Sequence, residues 1–386
     1  MVKNPSLTMP ISFSEFNPGD SGISPMAVQK LNNVFEQQIE SGLHPGAQLV
    51  VLKHGQVIFD GAAGLANIRK NVAVTKETPF LIFSSTKAFT AICIHHLVEA
   101  GKLELDAPVA VYWPEFGCKG KQTATIRHTL VHQAGIPTSG MPFQLLLWGS
   151  RALMARLIAN LPVEWEPGSR MEYHLVNSGF ILGELIYRVS GLTCQEYLQK
   201  FFIEPLGMTN TYTGLPFHLQ PKAAHIYNQD PMQRGAAFLF NRAIYRRLFI
   251  PAASINSTAR DLAVFYQMLN NGGTYAGKQY LRPETIQRAT ELVYDGPNGN
   301  TGRRIRWSMG FTVGGYSEFP DKDIRMMGKN STQNTFGHPG QGGAALAWSD
   351  PESGIVFSFL NNHFQDAESV HRRFEVLANC VWDIFH

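Results

Sequence analysis

No stretch of this sequence approaches the roughly 20 consecutive apolar residues that span a bilayer. The opening residues, MVKNPSLTMPISFSEF, lack the continuous apolar core of a secretion signal, so the expected location is cytosolic. Cysteine is scarce. The four present, Cys93, Cys118, Cys194 and Cys380, lie far apart and form no CxxC pair. That spacing offers neither a disulfide framework nor a zinc site, and four reduced thiols suit the cytosol. Charge is also sparse. Charged residues make up 16% of the chain and the formal net charge is +3, with a pI near 8.6. This is too mild for a nucleic-acid partner, which calls for a strong, clustered basic field. Internal repeats and low-complexity tracts are missing. So are GxSxG, HExxH and the phosphate-cradling P-loop, which removes the nucleophile-elbow, zinc-protease and nucleotide readings.

What the chain has is apolar residues and length: 44% hydrophobic in 386 residues. That excludes disorder and gives a sizeable core in one large domain or two packed ones. The spacing of Leu31, Val34, Phe35 and Ile39 predicts a helix near 25–41, with Ser24 as cap and Pro25 in its first turn. AQLVVLK and QVIFDGAAG are β-prone runs joined by His54-Gly55, which reads as a hairpin. Residues 84–100 carry the strongest helical signal and stop at Gly101. Short helical segments follow (TIRHTLVHQAG, RALMARLIANLP, NSGFILGELIYRVSG). The stretch 214–250, with Pro216, Pro221 and Pro231, has no period and reads as a long excursion near a pocket. After the helix TARDLAVFYQMLNNGG the chain turns β-rich (WSMGFTVGGY, GGAALAWSD, GIVFSFLNNH), and AESVHRRFEVLANCVWDIF closes it as a helix. β at both ends and α in the middle predict an α+β fold. Its antiparallel sheet is built from both ends of the chain and flanked by N- and C-terminal helices. Residues 1–101 and 251–386 would form that sheet domain, and 102–250 a mostly helical one, with the active site between them.

Three motifs can do chemistry. In Ser84-Ser85-Thr86-Lys87, a serine at a helix start and a lysine three residues on share one face. A hydroxyl is a poor nucleophile until a base takes its proton, and a lysine made neutral by burial can do so. The apolar flanks LIFSS and AFTAICIHHL predict such burial. In Glu166-Pro167-Gly168-Ser169-Arg170-Met171-Glu172-Tyr173-His174, the Pro-Gly turn can project Tyr173. Near a lysine ammonium its phenol would lose a proton more easily and serve as base, then as acid. In His338-Pro339-Gly340-Gln341-Gly342-Gly343, glycines at a strand lip allow close approach of a ligand. The Gln341 N–H is a candidate oxyanion donor, and His338 a partner for the tyrosine or the substrate.

These motifs, in this order, resemble the serine β-lactamase and penicillin-binding-protein superfamily, and most closely its family VIII carboxylesterases and other class C β-lactamase-like hydrolases. TIRHTLVHQAGIP, IPAASINSTARDLAVFYQML and FGHPGQGGAALAWSDPESGIVFSFLNN carry the likeness across most of the chain. The resemblance implies a cofactor-free, metal-free serine hydrolase. Ser84 would be the nucleophile, Lys87 and Tyr173 the proton-transfer pair, and the Ser84 and Gln341 amides the oxyanion hole, with His338 and Gly340 beside the substrate. Which of Lys87 and Tyr173 is the base stays open. Two departures bear on substrate. Leu175 stands where lactam-processing members carry the asparagine of Tyr-x-Asn, with Asn177 two residues later. His338 stands where they place lysine, and Pro339 where they place a hydroxyl residue. A neutral imidazole anchors a carboxylate more weakly than an ammonium does. Both changes move the expectation from β-lactams and peptides to small neutral esters. β-Lactamase or DD-peptidase activity, acyl transfer to an alcohol, and a silent binding module are the alternatives. The expected partner is a small-molecule ester, without nucleic acid or a membrane span; homo-oligomerisation is left open.

Other clusters read as structural. His128 and His132 share an i, i+4 spacing without a metal frame, and His95-His96 reads as one core and one surface histidine. Arg303-Arg304-Ile305-Arg306 reads as a solvated turn, with contact to an anionic substrate as the alternative. Trp148, Phe217, Phe238, Phe240, Tyr245 and Phe249 either wall an acyl pocket or pack in the core. Glu164 and Glu166 lack the surroundings of a glycosidase pair.

Overall fold

The computed structural model describes residues 9–13, 23–137, 147–228, 234–315 and 325–385. The N-terminal segment read above, Pro231 of the excursion and Tyr316 at the end of WSMGFTVGGY lie wholly or partly outside them.

Alternating inward and outward side chains build the sheet. The first hairpin pairs β1 (Gly46–Lys53) with β2 (Gln56–Asn67). His54 and Gly55 both take positive φ, 49° and 81°, the requirement of a two-residue turn whose twist matches that of the strands. β3 (Val72–Ala73) follows. The remaining strands come late in the chain: β4 (Tyr294–Pro297), β5 (Arg304–Trp307), β6 (Thr312–Val313), β7 (Phe336–Pro339), β8 (Ala345–Asp350) and β9 (Ile355–Asn361). They form one nine-stranded sheet in the order β3-β2-β1-β9-β8-β7-β6-β5-β4. Every neighbouring pair is antiparallel. β1 lies against β9 in the middle of the sheet, with Leu49 opposite Phe359.

Both faces are covered, so β1 and β9 are buried almost throughout. On one face Leu49, Val51, Trp348, Phe357 and Phe359 pack with Leu31 and Phe35 of α1 (Pro25–Glu40) and Phe374, Leu377 and Trp382 of α7 (Ala367–Phe385). On the other, Val50, Leu52, Val356 and Leu360 join a second core. It includes α2 (Thr86–Glu99), α3 (Ile126–Leu130), α4 (Arg151–Ala159), α5 (Asn177–Ser190) and α6 (Ala259–Asn270). α2 is apolar all round and correspondingly buried on nearly every side. The predicted α+β architecture with flanking terminal helices is thus observed. Among the described residues no helix is long and apolar enough to cross a membrane, and all four cysteines are free thiols.

Three local expectations are corrected. Ser24 sits at the N-cap of α1, but its hydroxyl makes no cap bond. Arg304 and Arg306 belong to β5 rather than to a solvated turn, because backbone pairing with β4 recruits the residues ahead of Trp307. The excursion 214–250 contains short helices, Arg234–Phe240 and Ala243–Arg247, whose spacing is too brief to show a period.

Candidate active site

Ser84 lies in a tight turn, Phe83–Ser85, that feeds directly into α2. Phe83 takes φ +48°, a conformation costly for a bulky residue, and something must hold it there. Its ring is wedged between Phe240 and Phe364, at 5.0 and 5.1 Å between centroids. Phe240 of the excursion therefore supports the serine turn, while Phe217 and Phe238 are exposed, beneath the guanidinium groups of Arg247 and Arg242. Ser85 fastens the other side, donating its hydroxyl to the His338 carbonyl at 2.8 Å. A Cβ on Gly340 would come 2.8 Å from the Ile82 carbonyl, so only glycine lets the end of β7 lie this close to the serine turn. Gln341 opens the next turn. Among the described hydrogen bonds that join elements or close turns, none uses the backbone N–H of Ser84 or of Gln341.

Lys87 is the second residue of α2, one turn on from Ser84, and is buried. Its Nζ lies 3.3 Å from Ser84 Oγ, 2.7 Å from the Leu175 carbonyl and 3.2 Å from the Ala252 carbonyl. Burial alone pulls the ammonium down to about 7. A neutral amine has two hydrogens and one lone pair. Both carbonyls can only accept, so they take the two hydrogens and the lone pair is left for the Ser84 hydroxyl.

Tyr173 presents its ring to Lys87, with Nζ 4.8 Å from the centroid. The expectation of a lysine-assisted, easily ionised phenol is overturned. Burial pushes the phenol well above its ordinary range, against a smaller opposite pull from the Ser84 hydroxyl. The backbone of Tyr173 is tied to a loop the sequence reading passed over. Its N–H donates to Asn298 Oδ1 at 3.1 Å, and Asn300 Nδ2 donates to its carbonyl at 2.8 Å. The Asn-Gly-Asn run was a readable turn signal; its partner was not. Trp307 packs edge-on against the rings of Tyr173, His132 and His338.

His338 is buried and close to Tyr173 on one cavity wall. Its Nδ1 is 2.8 Å from the Pro339 carbonyl, which can only accept, so Nδ1 carries the proton and Nε2 is an acceptor. Burial, with Lys87 nearby, lowers its pKa to about 3, so this ring is neutral. Asn177 does not replace the missing asparagine of Tyr-x-Asn. It is buried at the start of α5 and donates to the Pro137 carbonyl at 2.8 Å. Leu175 contributes its carbonyl to Lys87 and leaves its side chain 55% exposed.

The cavity at Tyr173 and His338 holds about 220 Å³ and is walled by Arg303, Arg304, Arg306 and Arg325, with Trp307 and Pro339. Asp295 pairs with Arg304 at 2.6 Å and lies 3.9 Å from Arg306. The paired histidines of the sequence part company. His128 Nδ1 closes a capping box with Thr125, whereas His132 faces Tyr173. Among the described residues no group of three or more His, Cys, Asp or Glu could hold a metal ion. Glu164 and Glu166 are both exposed and apart from this site.

Comparison with known proteins bears on the fold and the family. The Esterase/beta-lactamase LipL of Mycobacterium tuberculosis is 29% identical over 344 residues, covering 82% of this chain and 77% of that protein. A penicillin-binding protein homolog from Caulobacter crescentus matches with a TM-score of 0.79 at 28% identity, over 94% of this chain and 99% of its own. A family VIII carboxylesterase matches with a TM-score of 0.80 at 25% identity, over 94% and 98%. The model of the Beta-lactamase family spans residues 31–379, nearly the whole sheet and helical layer, and the chain belongs to that family.

Proposed function

We propose that this protein is a serine carboxylesterase that cleaves small acyl esters through an acyl-enzyme on Ser84. The observation that carries the reading is the desolvated Lys87 amine, 3.3 Å from Ser84 Oγ with its hydrogens committed to two carbonyls. Lys87 takes the Ser84 proton as Oγ attacks the ester carbonyl. The oxyanion lies between the backbone N–H groups of Ser84 and Gln341. Tyr173, kept protonated by burial, donates its proton to the departing alkoxide and is reprotonated from the Lys87 ammonium. Water then attacks the acyl-serine, Lys87 takes its proton, and Ser84 leaves with a proton through Tyr173. The balance is ester plus water to acid plus alcohol, and no cofactor enters. We place the site at the junction of residues 1–101 and 251–386 with residues 102–250.

The cavity volume suits short chains. Arg303, Arg304, Arg306 and Arg325 on its wall, with Asp295 paired to Arg304, are the reason to test esters that bear a negative charge away from the scissile bond. His338 supplies none of that attraction, being neutral. Lactam hydrolysis is the second reading, favoured by the relative whose name pairs esterase with beta-lactamase.

The test is intact mass after brief exposure to a nitrophenyl ester and, separately, to a penicillin, on wild type and Ser84→Ala. An acyl adduct from the ester that maps to the Ser84 peptide and vanishes in the variant is expected. Turnover surviving in Ser84→Ala would overturn the reading. An adduct from the penicillin that outlasts or outpaces the ester's would favour the second one.

A further inference from the structure

The Tyr173 segment runs beside the turn that follows α3, and successive N–H groups go to different partners. The Tyr173 N–H goes one way, to Asn298. Those of its neighbours go the other way, and both end on one residue. Glu172 N–H donates to the His132 carbonyl at 2.9 Å. His174 N–H donates to His132 Nδ1 at 3.2 Å. Between these two bonds the imidazole packs on the phenol ring, 4.6 Å between centroids.

The carbonyl and the ring of this one residue both reach residues 172–174. His132 does so with φ +58°, in the left-handed region that is uncommon outside glycine and asparagine. Strain of this kind persists where the surroundings over-determine it. Here the surroundings are Trp307, 5.0 Å from the ring, and the His174 ring at 5.4 Å. His132 also faces a small interior cavity shared with Lys87.

We propose that His132 is the positioning residue of this site, fixing Tyr173 through its own carbonyl, Nδ1 and ring so that the phenol O–H meets the leaving oxygen. The inference rests on the reading of Tyr173 as proton donor. The carbonyl bond survives any substitution; Nδ1 and the ring do not. Asparagine keeps an acceptor near the Nδ1 position and tolerates positive φ, whereas leucine keeps bulk and loses the acceptor.

The test is nitrophenyl-ester kinetics on His132→Asn, His132→Leu, Tyr173→Phe and the double variant His132→Leu/Tyr173→Phe, with rates taken per folded molecule. A displacement of about 1 Å costs about 100-fold, so His132→Leu should lower kcat by about that factor while KM moves less than about 3-fold. His132→Asn should stay within about 10-fold of wild type, the acceptor being kept. In the Tyr173→Phe background the leucine change should cost less than about 3-fold, because what it positions is gone. A full 100-fold loss on top of Tyr173→Phe, or wild-type kcat in His132→Leu, would overturn the proposal. If the leucine variant does not fold, His132→Asn is compared with His132→Gly, which accepts the backbone but offers no acceptor. Asn faster by about 10-fold supports the proposal and equality overturns it. Failure of the underlying function has a separate signature: Ser84→Ala would then hydrolyse the ester at the wild-type rate.

Discussion

At the scale of single residues, the site assigns two jobs that the sequence left interchangeable. SxxK and a tyrosine motif name the players, but burial decides their protonation, and no motif encodes burial of a particular atom. In the proposed mechanism Lys87, lowered to about 7 by burial, is the base, and Tyr173, driven up by burial, is the acid. The rate should follow. The amine is competent when neutral, so kcat/KM for an uncharged ester should rise with pH as a single ionisation near 7 and then level. Replacing Tyr173 with Phe should lower kcat by about 100-fold to 10,000-fold and leave that ionisation in place. A profile that falls as pH rises through 7 would exclude Lys87 as base. Stability has the same sign. Between about 7 and the ordinary lysine pKa the unfolded chain holds a proton that the native one does not, so this group makes the fold more stable as pH rises across that window.

At the scale of elements, the serine turn and the end of β7 are a matched pair. Each carries one proposed oxyanion donor, and two features set their separation: the Ser85 hydroxyl on the His338 carbonyl and the bare α-carbon of Gly340 against Ile82. Ser85→Ala removes one buried bond and should cost about 1 to 2 kcal/mol in urea unfolding, with kcat reduced about 10-fold. Gly340→Ala forces a carbon against a carbonyl and should reduce kcat further than Ser85→Ala does, with less effect on KM. The hairpin, the serine helix, β8, β9 and the closing helix were legible because periodicity and turn residues act locally. Arg304 and Arg306 were misread because strand character there comes from pairing with β4, not from their own preference. His132 and Asn298 were passed over for a similar reason. Nothing in VHQAG or GPNGN says that Asn298 will hold the Tyr173 N–H while His132 holds those of Glu172 and His174.

At the scale of the whole molecule, a chain of small net charge places four arginines on the wall of the cavity at Tyr173 and His338. A positive, low-dielectric wall raises the local concentration of anions, and salt screens it. A nitrophenyl hemisuccinate should therefore be turned over with a higher kcat/KM than the length-matched neutral ester. The advantage should shrink as ionic strength rises from about 0.01 to 1 M. Equal salt dependence of the two esters would remove the electrostatic preference while leaving the hydrolase intact. The β1–β9 seam at the heart of the sheet carries a consequence for how the chain comes into being. A ribosome releases Leu49 long before it releases Phe359, so the early hairpin emerges with an apolar border and no neighbour to cover it. Until Phe359 has left the ribosome, that hairpin has no β9 to shelter its open edge.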